Sequence, residues 1–370
     1  MDSPRSGISL QRQALFWGAG AVAVILILFV LKDVLLPFVA GFALAYLLDP
    51  LADRLTRTGI SRTLAALIIL VGFTVLLIVI GATMAPLLAD QFTALMRDLP
   101  GYFDRVQSVL IEQLGWLRGL LGGELPTVQG SVGQIVSQGA NWLVTALSGL
   151  WAGGSALISV ASLLVVTPVV AFYMLVDWDR MVNSIDSWLP LQSRDTIRAL
   201  ARDMNRAVAG FVRGQAIVCI LLGVMYALGL TLVGLNFGLL IGLVAGIIGF
   251  IPYVGTLTGL LVGTGVAIAQ FWPDYISIGG VLAVFAVGQF VEGNILQPNL
   301  VGRQVGLHPV WLMFALLAFG SLFGFVGLLL AVPLAAAIGV LIRFALARYK
   351  ESVLYTGALP PGKTDRKRKA

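Results

Sequence analysis

Long apolar runs, broken at intervals by short polar stretches, organise this chain. Residues 214–273 carry no charge, and residues 304–342 contain no acid, lysine or arginine. Uncharged runs of roughly 18 residues or more fit membrane-spanning helices, whereas barrel strands would be short and alternate. A first span is predicted over 14–31. A second, over 34–48, is short, contains Pro37 and Gly41, and is expected to kink and to end at Asp49-Pro50. A third covers 63–89 and a fourth 152–177. Between them, Phe103, Val106, Leu110, Leu114, Leu117 and Leu121 recur at steps of three and four, the pattern of an amphipathic helix. After 177 a second such stripe, Ile197, Leu200, Met204, Val208 and Phe211, runs beside arginines at 194, 198, 202 and 206.

The uncharged run at 214–273 must turn, because Gly249 to Gly255 breaks it into pieces too short to span. The break has a counterpart 72 residues on. Ile251-Pro252-Tyr253-Val254-Gly255-Thr256-Leu257-Thr258-Gly259 matches Phe323-Gly324-Phe325-Val326-Gly327-Leu328-Leu329-Leu330-Ala331 in its order of apolar, breaker, aromatic, Val, Gly, Leu and small residues. Each break follows a longer span with a Gly-Gln pair, Gly214-Gln215 and Gly288-Gln289. Residues 214–345 therefore read as two copies of a span followed by a broken hairpin, in inverted topology. Broken helices at corresponding positions point to a transport site near the midplane, with Pro252, Tyr253, Gly255, Gly324 and Gly327 at the tips.

The expected fold is an all-α polytopic membrane protein, with about six full transmembrane helices and two broken or re-entrant helical hairpins; eight continuous spans are the alternative. The chain divides into N-terminal transmembrane helices (1–89), an extracytoplasmic amphipathic region (90–151), a span (152–177), a cytoplasmic amphipathic helix (178–213), the repeat core (214–345) and a basic cytoplasmic tail (346–370). Charge placement sets both termini in the cytoplasm, because the arginine-rich loops at 49–62 and 177–213 then lie inside and the acidic 90–150 region outside. The eight-span alternative would put Arg303 outside and Asp274 inside, against that rule.

Composition agrees. The chain is 58% hydrophobic and 11% charged, with a mean hydropathy of +0.95, against about 25% charged for soluble domains. The net charge of +6 owes much to Lys363, Arg366, Lys367, Arg368 and Lys369. No aromatics are interleaved there, so nucleic-acid binding is not indicated. One cysteine, Cys219, and one histidine, His308, exclude an intrachain disulfide and an HExxH metal centre. No metal or cofactor is expected, and no cleavable leader: the first apolar run lacks a small-residue exit and more membrane sequence follows.

One carboxylate interrupts this apolar core. Glu292 lies within Gln289-Phe290-Val291-Glu292-Gly293-Asn294-Ile295-Leu296-Gln297-Pro298-Asn299. An acid at membrane depth costs about 3 kcal/mol or more, which makes it a functional candidate. On α-helical spacing Gln289, Glu292 and Asn299 fall near one face, with Arg303 a turn further on. Glu292 is expected to bind and release a proton or a monovalent cation such as sodium, or to bind a polar solute, with Gln289, Asn294, Gln297 and Asn299 completing the coordination. The competing role is a structural carboxylate locked to Arg303 or to hairpin amides. Asp177, at a span end, and Gln215 are possible supporting residues. No ATP-binding loop, serine nucleophile elbow or paired intramembrane aspartates are present, so an enzyme is not expected.

Taken together, several motifs resemble the autoinducer-2 exporter family of bacterial membrane permeases. They are Pro37 with Asp49-Pro50, Thr167-Pro168 through Phe172-Tyr173 to Asp177, Ile251 to Gly255, Gln289 to Pro298 with Glu292, and Gly302, His308-Pro309 and Gly324 to Pro333. The resemblance implies a multi-pass permease of the bacterial inner membrane. It also implies export of a small signal such as autoinducer-2, or sodium/proton antiport, and assembly as a homo-oligomer. A passive channel is the alternative of another class.

Overall fold

The computed structural model of the protein describes residues 18–20, 26–31, 34–121, 154–302 and 308–352, with single positions at 23, 138 and 355. Of the predicted span at 14–31, residues 18–20, 23 and 26–30 are helical and the rest are largely undescribed; Arg303 and the basic residues from Lys363 on lie outside the described residues. Among those described there is no strand. The elements are α1 (Leu35–Arg57), α2 (Arg62–Leu121), α3 (Gly154–Ser187), α4 (Arg194–Leu232), α5 (Gly238–Ile248), α6 (Val254–Phe271), α7 (Tyr275–Val291), a π-helix (Glu292–Gly302) and α8 (Pro309–Lys350). Among the described residues, six helical stretches are long and apolar enough to cross a membrane, in α1, α2, α4, α6, α7 with most of the π-helix, and α8. Leu77, Ile78, Leu228, Ile247 and Leu317 are exposed, as lipid-facing positions are. The chain is an all-helical, multi-pass membrane protein.

Several expected boundaries fall inside continuous helices. Asp49-Pro50 does not end the second span, since α1 runs through it to Arg57. Pro50 has no N–H to give the carbonyl four residues back, at Tyr46. Arg213 Nε of α4 donates to that carbonyl instead, at 2.7 Å, so the helix continues with its lost bond replaced from a neighbour. The span at 63–89 and the amphipathic helix after it are a single helix, α2, despite Pro86 and Pro100. Its distal half keeps Leu95, Leu99 and Val109 buried, and this packing offsets the proline cost. Likewise α3 passes through Asp177, and α4 joins the arginine-bearing amphipathic segment to the following span.

Both predicted breaks are real. α5 and α6 are joined by a short turn in which Tyr253 takes a left-handed conformation (φ 68°). α8 is broken at Gly324, whose φ of 59° and ψ of −136° suit glycine alone. Each hairpin then folds back on itself. A methyl added at Gly255 would lie 2.4 Å from the Ala245 carbonyl oxygen, and one at Gly327 would lie 1.8 Å from that of Phe319. In a straight helix, residues 319 and 327 would stand about 12 Å apart. Gly255 and Gly327 are also the paired positions of the 72-residue repeat.

The helices pack in two groups. α1, α2 and α3 share a core of Ala45, Leu48, Ala66, Leu70, Ala171 and Leu175. α4 packs most extensively on the first hairpin, where Gly223 and Gly246 let the two backbones touch. The second hairpin joins α4 through Ala207, Ala336 and Val340. At the corner between α3 and α4, Asp186 is clasped by Arg198 and Arg194.

Candidate functional site

Gln215 and Glu292 are the buried polar side chains of the described structure, at 0% and 8% exposure. They meet the first hairpin on either side of its break. Gln215 Nε2 of α4 donates to the Gly249 carbonyl at the end of α5 (2.7 Å), while its buried Oε1 has no hydrogen-bond partner. Beyond the break, Thr256 Oγ1 donates to Glu292 Oε2 at 3.2 Å. Thr256 lies in the first turn of α6, so the carboxylate stands near a helix N-terminus that carries no capping side chain and has its positive dipole end there.

Glu292 opens the π-helix, and this changes which residues share its face. In a π-helix bonds run between residues five apart. Gln297, at i+5, therefore comes back beside the Glu292 carboxyl, within its electrostatic reach. Asn299 does not share that face, contrary to the α-helical expectation. Its Nδ2 donates to the Ile295 carbonyl (2.8 Å), and Asn294 Nδ2 donates to that of Phe290 (3.0 Å). Both asparagines are exposed, as is Gln289 on α7. Pro298 cannot donate to Asn294 as an α-helix requires, which helps to widen the turn.

Tyr226 of α4 completes the surroundings. It is 1% exposed. Its ring lies against Gly288, where an added methyl would come within 2.1 Å of it, and stacks near Phe285 with centroids 5.0 Å apart. Its hydroxyl is buried beside that of Thr256 without a hydrogen bond of normal geometry. Cys219, two turns before Tyr226 on α4, also lies within electrostatic reach of Glu292.

The remaining candidates are dispersed. Pro252 is buried at the first tip and Tyr253 exposed; Gly324 and Gly327 form the second tip. Asp177 is not a helix cap but a half-buried mid-helix residue 3.7 Å from Arg180. His308 caps α8, its Nδ1 accepting from the Val310 N–H at 3.3 Å. Thr256 and Tyr226 were not singled out from the sequence. The signal that could have found Thr256 is its place three residues past a helix-breaking tyrosine, in the repeat.

Comparison with known proteins matches this architecture to a family. The model of AI-2E family transporters covers residues 19–347. The chain belongs to that family. Relatives among AI-2E proteins include YrrI of Bacillus subtilis (strain 168), 30% identical over 322 residues, covering 84% of this chain and 86% of YrrI. PerM of Escherichia coli (strain K12) is 29% identical over 319 residues, covering 86% of this chain and 89% of PerM. YueF of Bacillus subtilis (strain 168) is 26% identical over 345 residues, covering 89% and 92%. PerM carries the name of a permease and the other two the names of transport proteins. This AI-2E member thus falls among transport proteins rather than enzymes.

Proposed function

We propose that this chain is a secondary transporter that moves a small solute outward across the bacterial inner membrane, coupled to a proton or sodium ion carried by Glu292. The observation that carries this reading is the one buried carboxylate among the described residues, which opens the π-helix and meets the first broken hairpin. Irregular backbone at membrane depth is tolerated where it lines a cavity or a site. A carboxylate there with one threonine and one carboxamide as partners can bind a cation or a proton and give it up. The Gln215 Oε1, a carbonyl acceptor with no partner, is a second ligand at the same hairpin.

The family resemblance supports an autoinducer-2-like signal as the solute and a homo-oligomeric assembly in the membrane. Sodium/proton antiport is the second reading, favoured by the absence of any larger polar cluster around Glu292 among the described residues. Uptake into proteoliposomes with imposed sodium and proton gradients, with and without autoinducer-2, decides. Gradient-driven autoinducer-2 flux supports export; sodium movement driven by protons without the furanone supports antiport; unsaturable, gradient-independent flux means a pore. Glu292→Gln is expected to abolish coupled transport while the protein still inserts and elutes as wild type. Full coupled activity of that variant would remove Glu292 from the mechanism.

A further inference from the structure

A second polar site lies away from Glu292. Between α1, α3 and α4, at the end of the bundle where the arginines collect, is a cavity of about 710 Å³. Asn299 and Leu300 of the π-helix line one wall of it, so it adjoins the segment that Glu292 opens. Such a volume suits a small ligand.

Its charges do not balance. The lining residues include three arginines, Arg202, Arg206 and Arg213, and one acid, Asp49. Asp49 is already committed, bonded by Arg62 at 2.7 Å and by Arg213 at 3.3 Å. Arg213 also spends its Nε on the Tyr46 carbonyl freed by Pro50. This leaves Arg202, which makes no ion pair among the described residues, and Arg206, whose partner is Asp203 along the same helix at 3.4 Å. That exposed pair contributes little. The two arginines stand four residues apart on α4, where like charges repel. Elsewhere in the same row, Arg194 and Arg198 are neutralised by Asp186. Beside the unbalanced pair, Asn205 accepts from the Tyr46 hydroxyl through Oδ1 at 2.9 Å, which leaves its NH₂ group as a donor.

We propose that this cavity is an oxyanion site, in which Arg202 and Arg206 hold a phosphate or carboxylate group with the Asn205 amide as a third donor. Guanidinium forks match such groups in shape and charge. The oxyanion is either part of a soluble solute or the headgroup of an anionic lipid, and the site chemistry is shared by both.

Binding to the full chain in nanodiscs tests it, without any need for flux, so failure here leaves the Glu292 reading intact. The probes are inorganic phosphate and citrate in phosphatidylcholine discs, and phosphatidylglycerol titrated into the same discs. Arg202→Gln/Arg206→Gln is expected to weaken binding of whichever probe occupies the site by roughly tenfold or more. Arg202→Lys/Arg206→Lys should recover part of the loss, and Arg180→Gln should bind as wild type. Binding should also weaken with salt. Soluble-anion binding assigns a solute, and phosphatidylglycerol binding that the soluble anions do not displace assigns a lipid. No binding of any of the three probes, or a double glutamine variant that binds like wild type, overturns the site.

Discussion

At the scale of single residues, the behaviour of Glu292 depends on two partners of different origin. Thr256 approaches from the first hairpin and Gln297 from the same strand of helix, five residues on. The Thr256 bond, when Glu292 is ionised, is one to a charged group, worth about 1.5–3 kcal/mol, and Gln297 stands beside the same carboxyl. Thr256→Val should therefore reduce coupled transport by roughly tenfold or more, with Thr256→Ser restoring it, because the hydroxyl and not the methyl does the bonding. Gln297→Leu should do the same, whereas Asn299→Leu should leave coupling near wild type, since Asn299 spends its amide on its own helix. Initial rates in proteoliposomes under a fixed gradient check all four. That Glu292 is buried at a helix break was legible in the sequence, because a lone acid stands out in so apolar a run. Its partners were not. α-Helical spacing points to Asn299, and only a widened turn points to Gln297; nothing in the residues around Pro298 fixes which turn forms. Thr256 is an ordinary hydroxyl until the first hairpin folds it onto α7.

At the scale of elements, the two breaks were readable because glycine and proline leave strong marks in an apolar run, and because the marks repeat. Where helices continue was harder to read, since tertiary bonds override local signals. Pro50 reads as a stop, yet Arg213, distant in sequence, supplies the missing donor. Arg213→Gln should then loosen α1 at Pro50, seen as faster hydrogen exchange over residues 46–57, with Pro50→Ala/Arg213→Gln recovering protection. The second tip gives a sharper case. Gly324 sits at φ 59° and ψ −136°, a region that costs other residues about 1–3 kcal/mol. Gly324→Ala should lower the Tm of the purified protein by several degrees, while Gly320→Ala, which meets only the flexible end of Leu328, should lower it less. At the α3–α4 corner, hydrogen bonds from Arg198 and Arg194 hold the Asp186 carboxyl well below the usual carboxylate range. A depressed acid contributes stability above its unfolded pKa and loses it as pH falls through its folded value. Wild type should therefore be more stable than Asp186→Asn at neutral pH, and that advantage should shrink under strongly acidic conditions.

At the scale of the whole molecule, α1 and α3 run side by side in the same direction and α4 starts where they end, which gathers one kind of charge at one end. The α1 terminus with Arg54 and Arg57, the α2 start at Arg62, and Arg194 to Arg213 of α4 lie together, tied by Arg62 to the Leu175 carbonyl and by Arg213 to Tyr46. The last turn of α8 adds Arg348 and Lys350, and α8 packs along the same part of α4 through Ala336 and Val340. At the other end, Gln91 of α2 accepts from Leu240 and Tyr102 meets Asn236, with Asp274 capping α7. By the positive-inside rule, we propose that the arginine end is cytoplasmic. The first hairpin opens away from that end and the second toward it, so their entry from opposite faces follows from the same orientation. Single cysteines in a Cys219→Ala background test this directly. Ser277→Cys, beside the α7 cap, should react with an impermeant maleimide added to intact cells. Ser352→Cys, just past α8, should react only after the membrane is opened. Reaction of position 352 from outside would reverse the orientation, and with it the direction in which the arginine-lined cavity presents itself to a solute.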